Sequence, residues 1–252
     1  MLQRIRERLN PTDIVMWSIG GILLIMICWG SVATLVKGVY STHHWIDFII
    51  FGLAQGSIYA LIAMGYTMVY GVLRMINFAH SEVFMSGPYT AYYFAAYFYR
   101  SGLLESHPVI SMVLVFLISM ATSTIIAYLL ELIAYRPLRG APRLVPLITA
   151  IGASFFLQYV FRGLYGSGFQ AYPVIKALEG QWSAGPVRIL KFQALVIVAA
   201  ALLMVALYQF TQRTRLGKAL RSVSEDKEAS ALLGIAVERL ICMTFVIGGA
   251  AA

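Results

Sequence analysis

The feature that most limits the fold is a run of 23 residues, Ile14–Val36, that contains no charged side chain. A helix rises about 1.5 Å per residue, so this run would reach about 34 Å and could cross the roughly 30 Å hydrocarbon core of a bilayer. Further long apolar runs follow it along the chain, separated by short polar stretches. The sequence therefore predicts an all-α fold, a polytopic bundle of membrane helices, with residues 1–252 in a single transmembrane domain.

We expect about seven apolar segments. After the first, they cover residues 46–70, 83–99, 108–135, 144–165 and 192–210, and the last begins near residue 240. The 83–99 segment contains Gly87-Pro88, which leaves open whether it crosses fully or is broken or re-entrant. Because the sequence ends inside an apolar run, we expect a fragment that lacks further C-terminal spans.

Charge is scarce and sits at the edges of the apolar runs. Only 12% of residues are charged and 60% are hydrophobic, whereas soluble domains carry roughly 25% charge. The net charge of +8 follows the positive-inside pattern of membrane proteins and does not indicate nucleic-acid binding. Arg4, Arg6 and Arg8 predict a cytoplasmic N-terminus. If 83–99 crosses, the basic stretches 136–143 and 211–239 are cytoplasmic too.

A short polar helix is predicted inside the second of these basic stretches. Ser224 would cap its start, Glu225 and Asp226 would face the positive end of its dipole, and Gly234 would close it with a left-handed turn. The helix has only about nine residues, fewer than the roughly 12–15 that an isolated helix needs in water. We therefore expect it to rest on a partner, through Ala229, Leu232 and Leu233.

A second polar stretch, residues 71–82, lies between two apolar segments. It carries Arg74, Asn77, His80 and Glu82, and a charged group at mid-bilayer costs roughly 2.5–3.5 kcal/mol. These side chains must be paired within the protein or face water. Two interpretations stay open: a structural network in which Glu82 pairs with Arg74 or His80, and a polar lining of a substrate pathway.

Other polar and small residues have simpler interpretations. Gly52, Gly56 and Ala60 form a small-residue stripe that predicts close helix packing, and the alternative is that the stripe borders a polar pathway. We expect Glu131 to be a boundary residue that faces Arg136. Nothing in the spacing of His, Cys and carboxylate residues indicates a metal site or a zinc protease.

Two motifs together resemble a known family. Glu228-Ala-Ser-x-x-x-Gly234 is similar to the coupling motif of ABC-importer permeases, in which Ser230 replaces a usual Ala. Ile76-Asn-Phe-Ala-His80, preceded by Tyr70-Gly71 and Arg74, resembles the LivH-type permease of branched-chain (hydrophobic) amino-acid ABC importers, although Ser81 stands where that family usually has Gly. The resemblance covers about residues 46–252.

The resemblance implies a non-enzymatic permease subunit in the inner membrane of a bacterium, which imports branched-chain or hydrophobic amino acids into the cytoplasm. Its implied partners are a second, LivM-type permease, two cytoplasmic ATPase subunits, a periplasmic amino-acid-binding protein and the lipid bilayer. We expect no bound cofactor here and ATP on the partner subunits, since the chain has no GxxxxGK[ST] phosphate loop. Urea or short-chain amide import is an alternative, and secondary amino-acid transport is a less favoured one.

The resemblance also assigns candidate sites. The ATPase-coupling residues would be Glu228, Ala229, Ser230, Leu232, Leu233 and Gly234. The substrate-pathway candidates are Arg74, Asn77, Phe78, His80 and Glu82.

Overall fold

The computed structural model describes residues 11–38, 40–142, 144–184 and 187–251. Arg4, Arg6, Arg8 and Arg143 lie outside these residues, so the cytoplasmic N-terminus stays a prediction.

Seven long helices account for most of the fold, and their bounds follow the apolar runs of the sequence. They are α1 (Pro11–Val36), α2 (Thr42–Leu73), α3 (His80–Arg100), α5 (Pro108–Leu130), α6 (Leu144–Tyr165), α7 (Lys191–Arg213) and α10 (Val237–Ala251). Within the described residues, five helical stretches are long and apolar enough to cross a membrane: 15–36, 43–73, 108–138, 144–165 and 191–213. The prediction of a polytopic helical membrane protein is confirmed.

Short elements connect the long helices. They are α4 (Leu103–Ser106), a π-helical turn (Glu131–Tyr135), 3₁₀ turns at Arg136–Leu138 and Lys176–Leu178, strands β1 (Gln181–Ala184) and β2 (Val187–Leu190), α8 (Arg215–Glu225) and α9 (Lys227–Leu232). The two strands pair with each other and form one small sheet. This hairpin is an addition to the all-α class that the sequence predicts.

The helix α3 passes through Gly87-Pro88 without a break, so this segment is not broken there. Gly87 therefore does not break the helix, and its role is in packing against α5. A Cβ at this position would collide with the Ser119 and Ser123 side chains of α5, so glycine lets the two helices approach closely. Buried apolar residues of α2, α3, α5, α6, α8 and α10 form one cluster, which includes Val69, Val83 and Phe245.

The chain divides into two compact units, one of residues up to 50 with 183–188, and one of residues 51–182 with 189–252. All sites described below lie in the second unit. The single-domain description of residues 1–252, with 211–239 as its coupling segment, stays a prediction.

Candidate functional site

The short polar helix exists, and it is shorter than predicted. It is α9, Lys227–Leu232, and its cap is Asp226, whose carboxylate accepts hydrogen bonds from the backbone N–H groups of Glu228 (2.8 Å) and Ala229 (3.0 Å). The prediction that Ser224 caps it is wrong. Ser224 belongs to the last turn of α8, where its hydroxyl donates to the Arg221 carbonyl at 2.7 Å. The chain therefore breaks at Asp226 into two helices.

The other end of α9 closes as predicted, at Gly234 with φ of +81°. The N–H of Ile235 donates to the carbonyl of Ser230 at 3.1 Å, and the N–H of Gly234 donates to that of Ala231 at 3.0 Å. This pair of bonds is a Schellman motif, which needs a left-handed residue and favours glycine there. Both ends of a six-residue helix are thus fixed by local hydrogen bonds.

The apolar side chains at the end of α9 are open. Leu232 is 90% exposed and Leu233 is 78% exposed, and Glu228 and Ala229 are exposed beside them. Ser230 behaves differently, because it is 1% exposed and its hydroxyl lies 2.8 Å from that of Ser222 on α8. Ser230 fixes α9 to α8 and does not face outward, contrary to its predicted place on the ATPase-facing surface.

Two cations join the end of α2 and the segment that follows it, residues 74–79, which we call the linker, to the junction of α8 and α9. The Arg74 guanidinium donates to the Ser224 carbonyl through both Nε, at 3.0 Å, and Nη2. The Lys227 ammonium donates to the Leu73 carbonyl at 3.4 Å. Both carbonyls lie in the last turn of a helix, where intrahelical partners are missing and positive charge is favoured. Arg74, which follows α2, thus caps the end of α8, and Lys227, which follows α8, caps the end of α2; we call this pair the reciprocal caps.

The backbone and the charges around the reciprocal caps support this arrangement. Arg74 has φ of +58°, a left-handed conformation that costs a non-glycine residue about 1–2 kcal/mol. The bonds to Ser224 offset that cost. Burial, and then the charges of Arg139 and Arg74, lower the pKa of Lys227. A cavity of about 570 Å³ opens beside these cations and is also lined by Asp226, Glu228 and Glu238.

In the linker, Asn77 is 3% exposed and has its partners within the chain. Its side-chain oxygen accepts hydrogen bonds from the Ala79 N–H at 3.0 Å and from the Tyr135 hydroxyl at 2.6 Å. Tyr135 ends the π-helical turn that follows α5. Asn77 therefore starts the turn into α3 and joins it to the end of α5.

The other pathway candidates separate in space. His80 is 4% exposed, with its ring 5.7 Å from that of Tyr66, and its Nε2 has no hydrogen-bond partner in the described part of the chain. Phe78 is 46% exposed. Glu82 is half-buried and accepts a hydrogen bond from Ser154 of α6 at 3.3 Å. The predicted network that pairs Glu82 with Arg74 or His80 is wrong, because each of the three faces a different neighbour.

Glu131 is more deeply buried than a boundary residue would be, at 1% exposure. Its carboxylate pairs with Arg139, which also pairs with Glu238 at the start of α10. The predicted partner Arg136 instead lies 3.7 Å from Glu238. A buried carboxylate needs such a paired cation, so this network ties the end of α5 to α10.

The stripe of Gly52, Gly56 and Ala60 has open space beside both glycines, with no described atom within 4 Å of a Cβ built there. Close helix contact inside the chain occurs instead at Gly65 and Gly248, where a Cβ on Gly65 would lie 2.8 Å from the Gly248 carbonyl oxygen. Packing through the stripe stays a prediction, and the described residues of this chain do not provide it.

Comparison with known proteins identifies the family. A family described as the permease component of the branched-chain amino acid transport system matches residues 48–252. The chain belongs to this family. This permease chain is 43% identical over 213 residues to the high-affinity branched-chain amino acid transport system permease protein BraD of Pseudomonas aeruginosa, covering 83% of the chain and 69% of that protein.

The permease is also 40% identical over 206 residues to LivH of Escherichia coli and to LivH of Salmonella typhimurium, both described as high-affinity branched-chain amino acid transport system permease proteins. These matches cover 80% of the chain and 66% of each relative, so the chain spans about two thirds of their length. No solved structure matches it. The predicted resemblance to the LivH-type family is confirmed.

Sequence reasoning missed several residues of the site. Lys227 reads as one more basic residue of a polar loop, although its charge caps α2. Asp226 follows Ser224 so closely that either could cap a helix, and only the break after Glu225 decides between them. Tyr135 and Ser154 lie in apolar runs, and their single hydroxyl groups are the one signal that could have singled them out.

Proposed function

We propose that this chain is the membrane-spanning permease subunit of an ATP-driven importer of branched-chain or hydrophobic amino acids. Its family and the names of its relatives support the transport class and the substrate. The observation that supports coupling to an ATPase is α9, a six-residue helix with fixed ends and two exposed leucines. Such a helix needs a partner surface, and a groove of a cytoplasmic ATPase subunit provides one.

The reciprocal caps provide a route from α9 to the membrane helices. A push on α9 moves Lys227 and the adjoining end of α8 at Ser224. Lys227 binds Leu73 at the end of α2, and Ser224 binds Arg74 of the linker. Hydrogen bonds to charged groups contribute roughly 1.5–3 kcal/mol each, enough to make the segments move together. The linker continues into α3, so ATPase motion would tilt α3 relative to its neighbours.

The complete importer would contain a second permease of LivM type, two ATPase subunits that bind the ATP, and a periplasmic binding protein that delivers the amino acid. This chain binds no cofactor in that assembly. The end of the bundle that holds α9 faces the cytoplasm, as does the N-terminus, in the inner membrane of a bacterium. The basic stretches 136–143 and 211–239 support that orientation through the positive-inside rule.

Reconstitution tests the proposal. The importer, assembled with its cognate subunits in liposomes, should take up labelled L-leucine only when ATP is present on the ATPase side and the binding protein on the other. Uptake driven by an ion gradient without ATP would favour secondary transport. Uptake of urea or a short-chain amide in preference to leucine would show that the importer belongs to the alternative class, that of urea or amide importers.

A further inference from the structure

A polar seam runs along the packed helices α3 and α6. On α6, Ser154, Gln158 and Arg162 follow one another at four-residue spacing and share one helix face. The Ser154 hydroxyl donates to Glu82 of α3 at 3.3 Å, which joins the two helices at this point. Gln158 and Arg162 continue the polar face of α6 for about two more turns.

A pocket of about 390 Å³ opens at one end of this seam, within the usual size range of small-molecule sites. Its lining includes Met85, Tyr89, Gln158, Tyr159, Phe161 and Arg162. Tyr89 is held in place, because its hydroxyl donates to the Gly168 carbonyl at 3.1 Å and its ring lies 5.9 Å from that of Tyr165. The pocket wall is thus partly fixed without a ligand.

Arg162 and Gln158 are exposed and form no hydrogen bond or ion pair with the described residues. Both lie within a stretch that is long and apolar enough to cross a membrane. Arg162 is in the last turn of α6, so its long side chain alone could reach the headgroups. Gln158 lies one turn deeper on a short side chain and cannot do so. A polar group at this depth faces a water-filled cavity or a polar partner.

We propose that this pocket is a subsite for a free amino acid on its way through the importer. The Arg162 guanidinium and the Gln158 amide would bind the carboxylate, for which the planar guanidinium offers paired donors. The ring faces of Tyr89 and Tyr159 take the ammonium group. Met85 and Phe161 contact the aliphatic side chain.

The subsite rests on the proposed function and names where the substrate of that function binds. Glu82 and Ser154 do not line the pocket. They form the next polar group on the seam beyond the pocket.

Photolabelling of the complete importer in liposomes tests the subsite. L-photo-leucine, a leucine analogue with a diazirine, is delivered by the binding protein, activated by light and located by mass spectrometry. We expect labels on α3 and α6 peptides around Tyr89 and Gln158, and excess L-leucine should remove them. Arg162→Gln should reduce this labelling and raise the apparent KM for L-leucine at least about tenfold, because a charge-assisted hydrogen-bond pair is lost. Arg162→Lys should restore part of both.

Arg100→Gln is the matched control, since Arg100 occupies the last turn of α3 as Arg162 occupies that of α6. It should leave both the labelling and the KM unchanged. Labels elsewhere in the importer, or equal effects of the two arginine variants, would overturn the subsite and reduce Arg162 to a headgroup anchor. If the wild-type importer takes up no leucine at all, the proposed function fails, and the subsite fails with it.

Discussion

The linker and α9 look alike in the sequence, but the structure differs in which of their side chains it buries. Each is a short polar stretch between apolar runs. In and beside the linker, Asn77 and His80 are 3% and 4% exposed, and Asn77 has its hydrogen-bond partners inside the chain. At the end of α9, Leu232 and Leu233 are 90% and 78% exposed. Asn77 and His80 are therefore enclosed, whereas Leu232 and Leu233 are open.

This difference shows which feature indicates a partner. A buried polar group with its hydrogen bonds made has no need of a ligand, because the fold already compensates its desolvation. An exposed pair of leucines on a helix too short to fold alone has no such compensation. We therefore assign partner contact to α9 and a structural role to Asn77, and the four predictions below test that division.

The largest effect is expected for Leu232→Arg. A charge at the centre of a docking contact should reduce ATP-dependent leucine uptake about 30-fold or more, the scale of an interface hot spot, while the chain still inserts into the membrane in normal amount. Leu216→Arg, an exposed leucine on the neighbouring helix α8, is the control and should retain most uptake. Full uptake by the Leu232 variant would remove α9 from the ATPase contact.

Asn77→Leu should act on stability instead. It leaves the Tyr135 hydroxyl and the Ala79 N–H buried without their acceptor, at about 1–3 kcal/mol for each group. Thermal unfolding of the solubilised complex should therefore occur at lower temperature, with near-normal uptake per surviving complex. Phe78→Leu, at the exposed neighbouring position, is the control. A stable Asn77 variant that no longer transports would restore Asn77 to the substrate pathway.

Arg74→Ala should separate ATP hydrolysis from uptake, because it removes one of the reciprocal caps. We expect the leucine imported per ATP hydrolysed to fall about tenfold, corresponding to the loss of one or two charge-assisted hydrogen bonds. Arg221→Ala serves as control, since among the described residues that guanidinium binds only Gln212 on α7. An unchanged ratio in the Arg74 variant would show that motion reaches the membrane helices by another route.

The smallest effect is expected for Ser230→Ala, at about 1 kcal/mol of stability and no loss of coupling. Its hydroxyl bonds inward to Ser222, so Ser222→Ala should cost the same amount. The double variant should cost little more than either single one, which a double-mutant cycle measures. A loss of ATPase contact in Ser230→Ala would instead return Ser230 to the docking surface.

Local signals in the sequence predicted the helices well. Residues 144–165 form α6 with the predicted bounds, and Gly234 closes α9 with the predicted left-handed turn. The bounds of α6 follow from the hydropathy of neighbouring residues, and the turn at Gly234 follows from the conformational freedom of glycine. Such signals need no knowledge of tertiary contacts.

Partners across the fold could not be predicted in the same way. Arg74 and Ser224 are 150 positions apart, and nothing local indicates that they meet. Glu131 selects Arg139 over the nearer Arg136 because a π-helical turn intervenes and changes the direction of the residues that follow it. The pairing of polar groups is a tertiary property. It is this pairing that gives Asn77 of the linker its structural role, and the sequence alone does not show it.

Site-specific photocrosslinking tests the central claim most directly. A benzoylphenylalanine placed at position 232 in the assembled importer should crosslink to an ATPase subunit, whereas the same group at position 78 in the linker should not. This pair of results would establish α9 as the contact with the ATPase and the linker as part of the fold of the permease. A crosslink to the ATPase from position 78 and none from position 232 would contradict the account.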